Sequence, residues 1–80
     1  MILHHEFNKN PNFSDAQTIV FIHGLFGSLS NLGMLARAFT QAHHVVQIDV
    51  RNHGKSEHSS EINYPLMAQD VLETLDHLNI

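Results

Sequence analysis

The 80-residue sequence contains no cysteine. Disulfide cross-links and thiolate chemistry are therefore both excluded. The absence fits a reducing compartment, and a cytoplasmic location is expected. Basic residues are scarce, with 4 Lys and Arg against 8 Asp and Glu for a formal charge of −4. No basic face emerges, so a nucleic-acid partner has no electrostatic support. Long apolar runs are also lacking. The longest extend a few residues, far short of the roughly 20 that span a bilayer. The N-terminus, "MILHHEFNKN", has neither the basic start nor the apolar core of a signal peptide. A chain this short allows one small domain, which buries only about 60% of its unfolded surface and is marginally stable.

Histidine is what the sequence has in excess, with 8 residues. Two pairs are adjacent, His4-His5 and His43-His44. Neighbours on a strand point to opposite faces, so neither pair can chelate one ion from a strand. No H-E-x-x-H and no finger spacing is present, and a metal site is not expected.

Along the chain, "MILHHEF" reads as a short edge strand and "NKNPNFSDAQ" as a turn-rich connection. "TIVFIH", Thr18 to His23, is β-branched and aromatic with almost no polar break. That is the pattern of a strand buried on both faces. "GLFGSLS" is a loop in which Ser28 or Ser30 can cap a helix from Asn31 to Gln41. Leu32, Leu35, Ala36 and Phe39 give that helix an apolar stripe. "HVVQIDV", His44 to Val50, is another strand, followed by the polar loop "RNHGKSEHSSEIN". A second helix runs from Pro65 to Leu78. Pro65 sits in its first turn, and Met67, Val71, Leu75 and Leu78 form its buried stripe. The strand–helix–strand unit requires parallel pairing through a right-handed crossover. The last helix has no following strand, so the expectation is an α/β domain cut short.

The chemistry concentrates in "IVFIHGLFGS", Ile19 to Ser28, where two glycines follow a buried strand. Such a turn lets the backbone approach a ligand closely. A dinucleotide site would need G-x-G-x-x-G and an acid some 20 residues on. Asp49 could be that acid, but Gly24, Gly27 and Gly33 lack the tight G-x-G. A phosphate loop would need a glycine where "DVRNHGKS" has Asp49. An oxyanion hole, made of backbone N–H donors aimed at a developing negative oxygen, is the third chemistry that uses such a turn.

Three blocks, "HGLFGSLSNLG", "VVQIDVRNHGKS" and "NYPLMAQDV", stand in order and at suitable spacing. Together they resemble the N-terminal part of the YbfF-type esterases of the α/β-hydrolase superfamily. The resemblance implies a partial, mostly parallel sheet with helices on both faces, and makes residues 1–80 the N-terminal part of one incomplete domain. It implies that the N–H of Leu25 helps form the oxyanion hole, with Phe26 the alternative donor. His23, Gly24 and Gly27 then shape the turn, and His23 is not the catalytic base. Asp49, Arg51, Asn52 and Gly54 belong to a structural loop, with Gly54 at a turn and Arg51 and Asn52 bracing it. An intact relative would attack an acyl ester or thioester with a serine, aided by a histidine–acid pair, without metal or organic cofactor. The family's strand order makes Thr18–His23 central, beside a fifth strand.

The residues also carry plainer readings. Leu25 and Phe26 could be core or rim side chains. Asp49 could be a strand-end acid satisfied by loop amides, and His53 and His58 solvated. None of the six serines stands in G-x-S-x-G, so the nucleophile elbow, acid and histidine are missing from these residues. The sequence therefore points to a segment of a serine ester hydrolase, inactive alone. The alternatives are a noncatalytic βαβ remnant or binding module, and then a dinucleotide-binding fragment. An unpaired strand edge predicts self-association.

Overall fold

The computed structural model describes residues 1–12, 16–24 and 27–80. Among them, three strands form one sheet: β1 (His5–Asn8), β2 (Thr18–Ile22) and β3 (His44–Ile48), in the order β1-β3-β2. β2 and β3 are parallel, with Val20 opposite Val46 and Ile22 opposite Ile48. β1 runs antiparallel to β3, with Phe7 opposite Val46 and His5 opposite Ile48. A one-turn 3-10 helix (Leu29–Leu32) leads into α1 (Gly33–Phe39), and α2 (Tyr64–His77) follows β3.

The side-chain alternation of the strands sorts the helices onto opposite faces. Val46 and Ile48 point to one face, where Leu3 joins them and Val71 and Leu75 of α2 pack down with Leu78 just past its end. Phe21 points to the other face and meets Phe39 of α1, with ring centroids 5.9 Å apart. The partial parallel sheet with a helix on each face is thus the expected architecture. α2 starts where Asn63 accepts the N–H of Leu66 (2.9 Å), with Pro65 in the first turn. Both features suit a helix start, since the first N–H groups have no intrahelical partner.

Two expectations are revised. The first helix is not continuous from Asn31 to Gln41. Asn31 turns its side chain back to accept the Ser28 N–H (2.6 Å), and Gly33 follows, so the first turn tightens into 3-10 geometry. Thr40 ends α1, its hydroxyl donating to Arg37 O. Only Ala36 of the expected stripe is fully buried, while Leu35 is 52% exposed. Second, Thr18–Ile22 is not buried on both faces: with no strand on its outer side among the described residues β2 is an edge, as expected, and β3 lies between it and β1. Val45, Val46 and Ile48 are completely buried, whereas Ile22 is 47% exposed.

Candidate functional site

The C-terminal ends of the parallel strands β2 and β3 emerge on the same edge of the sheet, where His23 and Leu29 meet Asp49 and Val50. Leu25 and Phe26, the candidate donors, lie outside the described residues. What is described is how the loop around them is held.

His23 fastens the entry. Its ring is almost fully buried, and Nε2 accepts the N–H of Val50 (3.1 Å). That fixes the remaining proton on Nδ1, which donates to Gly24 O (2.7 Å). The imidazole thus continues the β2–β3 ladder one step beyond the last backbone pair. Gly24 O also accepts the N–H of Gly27 (3.0 Å), which closes the loop on itself. At Gly27 a Cβ would stand 2.7 Å from Asn31 Oδ1 and 3.1 Å from Gly24 O, so a side chain there would have to push the Asn31 amide and the Gly24 carbonyl aside.

Asp49 fastens the exit. The residue is 2% exposed, and its carboxylate accepts the N–H of Leu29 (2.6 Å) and of Lys55 (3.0 Å). His23 and His4 flank it at 3.9 and 4.0 Å. One carboxylate therefore ties the end of the glycine loop to the turn after β3. Gly54 makes room for it. Its φ is +50°, and a Cβ there would fall inside the Asp49 carboxylate. Asn52, also left-handed at φ +64°, holds the far side of the turn by exchanging side-chain hydrogen bonds with Ser59 N and O.

Arg51 extends the bracing to α2. Its guanidinium makes a paired contact with Asp70 (2.6 and 2.8 Å) and donates to Glu61 O (2.9 Å). These bonds hold the Asp70 carboxyl below the usual carboxylate range. The α-amino group of Met1 lies 3.6 Å from Asp70 and contacts Glu73.

The sequence reading missed two participants. Ser56 is buried, donates to Asp49 O and accepts the N–H of His4. Asp70 is buried on α2. A signal existed for Asp70, because it lies three and four residues from Met67 and Thr74, on the helix's apolar side. His53 is not simply solvated: it is half-buried, its ring centroid 5.4 Å from that of His23, and its Nδ1 donates to Arg51 O (2.8 Å). Among the described residues, no three His, Asp or Glu side chains are grouped to hold a metal ion, and no helix is long and apolar enough to cross a membrane.

Beside the loop, between β2 and α2, opens a groove of about 790 Å³. Ile22, Val50, Met67, Ala68 and Val71 make it mainly apolar, with Gly24 at its end.

Comparison with known proteins places this arrangement. Residues 17–80 match the sequence model of the alpha/beta hydrolase fold family. The chain is 57% identical over 58 residues to esterase YbfF of Escherichia coli K12, covering 72% of this chain and 23% of the relative. It is 44% identical over 68 residues to the sn-1-specific diacylglycerol lipase ABHD11 of Danio rerio, covering 82% and 22%. The solved structure of a marine microorganism esterase superposes with a TM-score of 0.84 at 30% identity, covering 99% of this chain and 29% of that one. The chain spans about a quarter of the length of the curated relatives it matches. The loop fastened at the strand ends, the parallel β2–β3 pair and the family match converge, and the chain belongs to the α/β-hydrolase family as an N-terminal segment of the YbfF type.

Proposed function

We propose that this chain carries the oxyanion-hole side of a serine-dependent hydrolase of carboxylic esters or thioesters. The observation that supports this reading best is the double fastening of the loop from Gly24 to Ser28. His23 pins its entry to Val50, and Asp49 pins its exit at Leu29. Acyl transfer is accelerated when N–H donors are already held where negative charge develops on the carbonyl oxygen. In α/β-hydrolases one such donor comes from the loop after the third strand and the other from the residue after the nucleophile. Leu25 is the proposed donor here, with Phe26 as the alternative. Asp49, Arg51 and Gly54 serve as support, and His23 holds the loop rather than acting as base. Both its ring nitrogens are already engaged in the loop's hydrogen bonds.

The reading assigns the nucleophile, acid and base to the remainder of a YbfF-length protein, because the six serines present stand outside any G-x-S-x-G. It calls for no metal or organic cofactor. Expected substrates are small acyl esters or thioesters.

Two measurements test it. The 80-residue chain should neither hydrolyse a p-nitrophenyl acyl ester nor take up a serine-reactive fluorophosphonate. Joined covalently to the remainder of E. coli YbfF, it should do both. In that joined protein, Leu25→Ala keeps the N–H and should keep most of kcat. Leu25→Pro removes the N–H, and loss of one oxyanion donor costs about 2.7–4 kcal/mol. Equal rates for two folded variants would move the role to Phe26.

A further inference from the structure

We propose that the polar groove between β1 and the C-terminal end of α1 binds a free α-amino acid, with its ammonium on Glu6 and Gln47 and its carboxylate on Arg37. The groove opens on the α1 face of the sheet, toward the end of β3 away from Val50, and encloses about 670 Å³. That size falls within the range of small-ligand pockets. The site is separate from the loop at Gly24, and its occupancy does not depend on the hydrolase chemistry.

Three observations select the ligand. The first is an unsatisfied amide. Gln47 is 5% exposed, and its Oε1 is buried without a hydrogen-bond partner. A buried acceptor left unpaired is costly and rare. Gln47 lines the groove, and the broad last torsion of a glutamine lets the amide turn Oε1 toward it. An N–H or O–H donor is what that oxygen lacks. The second observation is its neighbour. Glu6 stands opposite Gln47 in the β1–β3 register, so both side chains leave the same face of the sheet. The Cβ atoms of such a pair are about 4.5–5.5 Å apart. A carboxylate and an amide oxygen side by side suit an ammonium, which offers three donors and no acceptor. The third is the facing cation. Arg37, in the last turn of α1, also lines the groove. Neither Arg37 nor Glu6 makes an ion pair among the described residues. Lys9 is engaged elsewhere, its ammonium 5.5 Å from the centre of the Phe7 ring. An unpaired guanidinium presents a fork that matches a carboxylate. One acid and one base thus face a ligand that carries one charge of each sign. The walls are already set. Asn10 donates from Nδ2 to Thr40 O and from its N–H to His44 Nδ1, both at 2.8 Å, which ties the turn after β1 to the end of α1. α1 covers Phe21 and leaves Glu6 and Asn8 exposed.

The test titrates glycine, L-alanine, L-glutamine and L-lysine into the 80-residue chain and into the protein joined to the remainder of E. coli YbfF. Calorimetry reads the affinity, and the side-chain amide resonances of Gln47 read the location. The expected result is saturable binding of at least one of them with a shift of the Gln47 signals. Its N-acetyl derivative, which has no ammonium, and its carboxamide, which has no carboxylate, should each bind about tenfold or more weakly, the scale of one lost hydrogen bond to a charged group. Glu6→Gln should weaken the amino acid and leave the N-acetyl derivative unchanged. Arg37→Gln should weaken the amino acid and leave the carboxamide unchanged. Gln47→Leu gives a readout that needs no ligand. It should abolish binding and yet raise the urea midpoint, because an apolar side chain replaces an unpaired buried acceptor. A lowered midpoint would mean that the amide already serves the fold, and would overturn the proposal. Acetate or the N-acetyl derivative binding as tightly as the amino acid would make the groove an anion site only, and the zwitterion would be wrong. No saturable binding in either protein at millimolar concentration would also overturn it.

Discussion

At Gly54 the backbone is left-handed and the Asp49 carboxylate fills the place of a side chain. Gly54→Ala should therefore cost about 1–2 kcal/mol from the backbone alone, and more because the carboxylate must leave Leu29 or Lys55. Gly24→Ala is the contrast, since a Cβ there meets nothing within 4 Å. It should stay within about 0.5 kcal/mol of the parent. Urea midpoints, in sulfate if the parent needs added stability, would separate the two. Asp70 gives a pH prediction. Hydrogen bonds from Arg51 lower its folded pKa, so the folded state holds this proton more weakly than the unfolded state. The resulting stability is complete above the ordinary carboxylate value of about 3.9 and is lost as pH falls through the lowered one. Asp70→Asn should flatten that acid limb, and an unchanged limb would show that the pair contributes nothing to folding. At this scale the sequence was legible where a residue type has a special backbone or charge, as at Gly54 and Arg51. It was silent on Ser56, because a hydroxyl donating to a neighbouring carbonyl leaves no pattern in the sequence.

Elements are held by their ends. α2 depends on Asn63, whose side chain takes the Leu66 N–H. Asn63→Ala should cost about 1 kcal/mol, visible as a lower urea midpoint together with faster exchange at the Leu66 amide. The three strands and two α-helices described were readable in order, because a near-continuous apolar run marks a buried strand and a period of 3.6 a helix, whereas the 3-10 turn at Leu29–Leu32 read as loop. The boundaries were harder. β3 reads as running to Val50 because Asp49 stands between apolar Ile48 and Val50, yet the strand ends at Ile48. Beyond it the Val50 N–H donates to an imidazole rather than to a peptide carbonyl. A helix written through Asn31 and Gly33 likewise broke where a side chain competed for the backbone. Which strand is central could not come from burial pattern alone. Thr18 to Ile22 is as apolar as a central strand should be, yet among the three strands described it forms an edge.

For the whole molecule, the described residues include seven buried hydrophobic side chains, of which Leu3, Val46 and Ile48 cluster with six partly buried neighbours. So small a core leaves stability close to the entropy cost of folding. The chain alone should unfold at low denaturant, with the slowest amide exchange in β3 rather than β2. Strong, cooperative protection of both strands in an isolated monomer would mean that the sheet is complete without another strand.

The N-terminal residues reach a long way along the chain. Leu3 N–H donates to Thr74 Oγ1 across 71 positions, and His4 N–H donates to Ser56 Oγ across 52. β1 can pair only after β3 exists, and its lead-in is held only after the third turn of α2 has formed. During synthesis β1 must therefore wait for β3, which is made later, before it has a partner. Closing so long a loop is paid for in entropy before any contact rewards it, which slows folding. The earlier strand is thus the later arrival in the sheet.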